Sequence, residues 1–226
     1  MKNMPKRCKI WLFAAIGVLI FAGGFLLGTI NRQALLPKRG DPVVLRCTEQ
    51  DFFLTNSQFL YCYGSEYYYF SEVFGDYYAP DFSKPLREQP YDDTQSWEDY
   101  LLERALQTTR DTASMCFAAQ KAGYVISDEA RQSYEQTLQS FRDTAKSQNF
   151  EDFDAYLRES YGEYANEADF SAYLLRSFLA DDYAAELAKS LGEEESQNEY
   201  RKIQNAYRFE VDRQSICLPD FPPVSG

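Results

Sequence analysis

The stretch Thr55–Gly75, TNSQFLYCYGSEYYYFSEVFG, decides how this chain folds. Phe59, Tyr63, Tyr67, Phe70 and Phe74 recur in it at steps of 4, 4, 3 and 4, the spacing of one face of an α-helix, and Gly75 supplies a stop. Thirteen of the 31 residues from Phe52 to Phe82 are aromatic, more than one apolar stripe needs. Tyr61, Tyr68, Tyr69, Tyr77 and Tyr78 are therefore expected on other faces of the segment.

Upstream, Val43, Val44 and Leu45 lie between Pro42 and the polar residues after Cys47 and read as a short strand. Downstream, Asp76–Asp93 carries Pro80, Pro85 and Pro90 and reads as a long loop, because proline removes a helix donor and clashes with the preceding turn. Helical spacing resumes at Trp97, Leu101 and Ala105, with Thr94 or Ser96 as cap, and continues weakly through Thr108, Thr112, Cys116 and Ala119 to Gly123. The middle of that helix is polar on several sides, so shallow packing is expected there. Ser127 followed by Asp128 and Glu129 starts the next helix, whose stripe is Ala130, Tyr134, Leu138, Phe141 and Ala145.

A brief helix carries Phe153, Tyr156, Leu157 and Tyr161 and stops at Gly162. In the helix after it, Phe170, Leu174 and Phe178 form one row and Leu175, Leu179, Tyr183 and Leu187 a second. So wide an apolar face predicts a central helix touched from two sides. Glu193, Glu194 and Glu195 after Gly192 end that helix or open a short polar one reaching Tyr200. Tyr207, Phe209 and Val211 then alternate with Arg208, Glu210 and Asp212, the period of a half-exposed strand.

The pattern is mainly α, with one strand visible at each end. A lone strand leaves backbone groups unpaired, so Val43–Cys47 is expected to pair with Tyr207–Cys217 as a two-stranded β clip joining the ends of the domain. Cys8 falls outside that domain. For Cys47, Cys62, Cys116 and Cys217 the plainer reading is buried thiols; if a bridge forms, the clip selects Cys47 with Cys217.

Residues 1–40 carry seven basic residues and no acid. Taking that +7 from a total of −12 leaves −19 for residues 41–226. Ile10–Ile30 is 21 residues without a charge, enough at about 1.5 Å per residue to cross about 30 Å of hydrocarbon. A cleaved signal peptide would show a shorter apolar run and an A-x-A-like site; here Phe25, Leu26 and Leu27 continue the run, which favours an uncleaved anchor. The sequence thus divides into a basic cytoplasmic tail (1–9), a transmembrane helix (10–30), a linker (31–41), a helical domain (42–218) and a C-terminal tail (219–226). Orientation is single-pass in the cell membrane with the acidic domain on the extracytoplasmic side, since the short basic end favours the cytoplasm.

The chain has no histidine. Ser-His-Asp and Cys-His catalysis and His-ligated zinc are excluded, and no Cys-x-x-Cys spacing, calcium loop or phosphate loop is present, so no cofactor or metal is expected. Acid pairs such as Asp92 with Asp93 or Asp181 with Asp182 are what 35 acids scatter by chance, and adjacent acids on a helix point apart. The negative charge argues against nucleic acid. What remains is binding without covalent chemistry. Surplus tyrosines combine large contact area, low rotamer cost and one polar tip, which suits apolar peptide segments.

In its order of elements the outer part resembles the N-terminal chaperone module of SurA/PrsA-type foldases, a relative in fold of the trigger factor client-binding domain. The residues that carry the resemblance are Val43–Leu45 before the helix with Tyr67, Tyr68 and Tyr69; the loop Asp81, Phe82, Ser83, Lys84, Pro85, Leu86 leading through Gln89 to Trp97, Glu98, Asp99, Tyr100; Ala122, Gly123, Tyr124 with Ser127, Asp128, Glu129; Phe153, Tyr156, Leu157; and the Tyr183 helix. The resemblance covers about residues 42–212 and implies a helical cradle for unfolded or newly exported polypeptides. Such modules often sit beside a parvulin-type prolyl isomerase, which usually has active-site histidines; isomerase activity is therefore not carried over. The expectation is a membrane-anchored chaperone-like protein, with Tyr67, Tyr68, Tyr77 and Tyr78 as client-binding residues. The alternative is an assembly subunit of a cell-envelope complex that holds one dedicated partner with the same fold.

Overall fold

The structure, a computed structural model, describes residues 40–73 and 79–219. Residues 1–9, read as a cytoplasmic tail, the apolar run 10–30, most of the linker, Phe74 of the stripe, the stop at Gly75, Tyr77 and Tyr78, and the end of the C-terminal tail lie outside the described residues. Among those described, six α-helices accompany one small antiparallel sheet: β1 Val43–Cys47, β2 Phe52–Thr55, α1 Asn56–Val73, α2 Trp97–Lys121, α3 Asp128–Ser147, α4 Phe153–Tyr161, α5 Glu167–Leu191, α6 Glu193–Gln204 and β3 Phe209–Val211.

The sheet has three strands rather than two, in the order β2-β1-β3. The expected clip is present, with Leu45 opposite Val211, Arg46 opposite Glu210 and Cys47 opposite Phe209. The additional strand, β2, folds back on β1 as a hairpin, Cys47 facing Phe52 and Val43 facing Thr55. It satisfies the second edge of β1, whose Val44 and Leu45 are fully buried. Asp41, placed by sequence in the linker, belongs to the folded body: it is 4% exposed and accepts hydrogen bonds from the Ser57 N–H (3.0 Å) and hydroxyl (2.5 Å). Its carboxylate thereby serves orphan donors of the first turn of α1, which begins directly after β2.

Helix α1 is buried on more than one face. Phe59, Cys62, Tyr63, Tyr67 and Phe70 pack with Val44, Leu45, Leu54, Leu101, Ala105 and Leu106. On another face Tyr61 joins a second cluster with Leu157, Tyr161, Phe170 and Leu174. Tyr61 is 1% exposed; its hydroxyl donates to the Asn166 carbonyl (3.1 Å) and accepts from the Asn166 N–H (2.9 Å). Part of the tyrosine surplus is thus consumed by a second core, which a single helical stripe does not reveal.

Helix α5 is central, as the two apolar rows predict, packing against α1, α2, α3, α4 and α6. The expected shallow middle of α2 is overturned. Leu106, Thr109, Ala113, Ser114 and Met115 are all buried there, because small and β-branched polar side chains let α5 approach closely. Ser96, not Thr94, caps α2, in a reciprocal capping box with Asp99. Ser127 caps α3 as expected, and Asp152 and Asn166 cap α4 and α5.

The four described cysteines are free, which corrects the Cys47–Cys217 pairing. Antiparallel pairing carries the chain after Phe209 away from Cys47 and toward the Val43 end of β1. Cys217 is held there by the Asn56 side chain, next to Thr55, the partner of Val43. Four strand residues of about 3.3 Å each separate the two ends by about 13 Å, whereas a bridge needs Cα atoms within about 7 Å.

Candidate functional site

The strongest surface feature is an aromatic ridge where the second half of α1 meets the loop before α2. Its position follows from how that proline-rich loop is pinned. The Gln89 amide donates to the carbonyls of Asp81 (2.8 Å) and Lys84 (3.2 Å) and accepts from the Asp81 N–H (2.7 Å). The Asp81 carboxyl is drawn down to about 2 by Lys84 and Ser83, and Phe82 turns inward onto Tyr67 at 4.9 Å between ring centres. Beyond Gln89 the chain doubles back. Tyr91 N–H donates to the Gln95 carbonyl (3.0 Å) and Trp97 N–H to the Gln89 carbonyl (2.9 Å), while Asp92 gathers the N–H groups of Thr94 (2.7 Å) and Gln95 (3.0 Å).

This turn lays Tyr91 flat on Tyr100, 3.9 Å apart and 10° from parallel. Trp97 stands edge-on to both, at 4.8 Å and 5.6 Å, and to Phe70 at 5.9 Å. Tyr69 meets Phe70 edge-on. The Arg104 guanidinium lies 5.2 Å from the Phe70 ring centre and donates to Glu66 (2.9 Å), which also accepts from the Thr108 hydroxyl (2.8 Å). Arg104 thus links the Phe70 and Tyr100 rings to the Glu66 carboxylate. Tyr69 is 47% and Tyr91 37% exposed, the two aromatic members of the large apolar side chains on the described surface; Val125 and Leu191 are the others. Asp92, Glu98 and Asp99 adjoin Tyr91, Trp97 and Tyr100 in the chain.

Of the four tyrosines expected to bind clients, Tyr67 is 4% exposed and packed under Phe82, so it offers no contact surface. Tyr68 is half-buried and edge-on to Tyr67. Tyr77 and Tyr78 lie outside the described residues. The exposed aromatics are instead Tyr69 and Tyr91. The dipeptide Pro90-Tyr91 in a loop, with Trp97 and Tyr100 one turn apart on the following helix, is the signal that could have found the ridge.

Chemically the ridge offers flat apolar faces, with carboxylates beside them in the chain. Among the described residues, no group of three or more His, Cys, Asp or Glu is placed to hold a metal ion. Comparison of the chain with family models, with curated proteins and with solved structures found no match in any of the three.

Proposed function

We propose that this chain is a membrane-tethered, extracytoplasmic chaperone-like protein that holds unfolded or newly exported polypeptides by reversible contact, without covalent chemistry and without prolyl isomerase activity. The observation that supports this reading is the stacked pair Tyr91–Tyr100 with Trp97 edge-on to both, and with Tyr69 and Tyr91 exposed on the described surface. A pre-ordered aromatic surface contacts varied apolar segments while losing little side-chain entropy. The charge of −19 over residues 41–226 keeps a loaded domain soluble and favours basic segments. The tether is proposed on the uncharged run 10–30; among the described residues no helix is long and apolar enough to cross a membrane.

The test is client range. The full chain in lipid nanodiscs is offered several unrelated unfolded proteins, with their native forms as controls. Capture of several unfolded forms supports the reading. Capture of none of them, with one native membrane partner retained instead, replaces it with a dedicated assembly subunit.

A further inference from the structure

Strand β3 has one strand neighbour among the described residues, β1, and so forms an edge of the sheet. The register shows which backbone groups that neighbour uses. Leu45 faces Val211, Arg46 faces Glu210 and Cys47 faces Phe209; one step beyond, the Asp212 N–H donates to the Val44 carbonyl at 2.9 Å. Hydrogen-bonded and non-hydrogen-bonded pairs alternate along an antiparallel ladder. Glu210 therefore turns its N–H and C=O toward β1, while Phe209 and Val211 turn theirs outward. After Asp212 the chain runs to Asn56, which follows β2 on the other side of β1, so it crosses the end of the sheet and does not cover this edge. The outer face beside the edge is open as well, with a groove of about 660 Å³ lined by residues 42–46, 210–212 and Ser215.

The edge is complementary to itself. Of the antiparallel registers, the one centred on Glu210 pairs all three residues of β3 with those of a second copy. Phe209 then stands opposite Val211 of the other copy, twice over, and the outward N–H and C=O groups of these residues meet. The same register sets Arg208 opposite Asp212 twice, both exposed. Glu210 meets its own copy at the centre, a like pair that costs stability, but Arg46 stands opposite each Glu210 on β1 and balances the row.

We propose that the edge of β3 is a self-recognition surface, to which a second copy of this chain adds its own β3 antiparallel about Glu210, joining the two sheets across a two-fold axis. A three-residue edge buries far less than the about 1,200 Å² of a stable complex, so the pair forms and separates readily. The surface is separate from the aromatic ridge and does not rest on client binding.

The test is disulfide cross-linking of the full chain in mild detergent, with Cys8→Ser and Cys217→Ser to remove competing thiols. In the proposed register the two copies of position 210 form a non-hydrogen-bonded pair with Cα atoms about 4.5 Å apart, within the about 4.4–6.8 Å that a disulfide spans. Glu210→Cys should therefore yield a dimer on mild oxidation. Arg208→Cys alone should not, since its two copies are offset by about 13 Å, yet mixed with Asp212→Cys it should. Val211→Pro removes an outward N–H without touching the β1 ladder. Lost twice by symmetry, that donor should lower cross-linking of the Glu210→Cys chain about ten-fold. Arg208→Asp should weaken cross-linking and the added change Asp212→Arg should restore it; if Val211→Pro does not fold, this charge exchange carries the test. Failure of Glu210→Cys to cross-link, or Arg208→Cys pairing with itself as readily as with Asp212→Cys, would overturn the proposal. Preferential cross-linking of Glu210→Cys to an added extended peptide bearing a cysteine would make the edge a client site and overturn it too.

Discussion

Asn56 and Cys217, 161 residues apart, are joined as a strand pair would be: the Asn56 amide donates to the Cys217 carbonyl at 3.1 Å and accepts from the Cys217 N–H at 2.9 Å. This one side chain continues the sheet past the end of β3 and fixes the C-terminal segment against the start of α1. Asn56→Ala leaves both backbone groups of Cys217 without those partners in a partly buried site. A loss of about 1–3 kcal/mol is expected, read as a lower urea midpoint with an unchanged slope. An unaltered midpoint would show that the contact is incidental.

Asp182 staples the α2–α3 connection to α5, accepting from the Ser127 N–H (2.7 Å), the Ser127 hydroxyl (2.8 Å) and the Tyr124 hydroxyl (2.8 Å). Burial pushes its carboxyl up, but these donors outweigh burial and hold it below the usual aspartate range. A depressed folded pKa contributes stability that is complete above the unfolded value, about 3.9, and is lost as pH falls through the folded one. Asp182→Ala should therefore cost about 1–2 kcal/mol at pH 7 and flatten the fall of stability below pH ~4. An acid limb identical to the wild type would remove Asp182 from the account.

Thiol labelling checks the corrected disulfide. Burial pushes the Cys62 and Cys116 thiols up to about 12 and raises Cys47 as well, while Cys217 is exposed. In a Cys8→Ser background without reductant, Cys217 should react with maleimide first and the other three only in denaturant. Two thiols that stay unreactive in denaturant until reductant is added would restore a Cys47–Cys217 bridge.

Most of the helical framework was legible because its signals are local. Ser127 before two acids and the two apolar rows of α5 each mark an element within one or two turns. The clip was legible too, since two lone strands have few ways to satisfy their backbone groups. What escaped depends on contacts distant in sequence. Strand β2 is only Phe52–Thr55, without alternation, inside an aromatic run that reads as helix. The middle of α2 looks solvent-facing because Thr109 and Ser114 are polar, and only the approach of α5 buries them. Tyr67 lies on the apolar stripe and Tyr69 off it, so spacing already separated them; what spacing could not show is that Phe82 packs edge-on against Tyr67.

That difference among tyrosines is itself testable. Tyr61→Ala removes a fully enclosed ring and its bonds to Asn166, so about 3–5 kcal/mol should be lost. Tyr69→Ala should stay within about 0.5 kcal/mol of the wild type. Comparable losses at both positions would contradict the division into core and surface rings.

The central claim is that the open ridge holds unfolded chains, and light scattering of an aggregating client beside the full chain in nanodiscs measures it most directly. Replacing Tyr69 and Tyr91 together by Ser should leave helix content unchanged and lower Tm by about a few degrees, through loss of the Tyr91–Tyr100 stack, while suppression of aggregation falls several-fold. Suppression equal to that of the wild type would place client contact elsewhere and contradict the account.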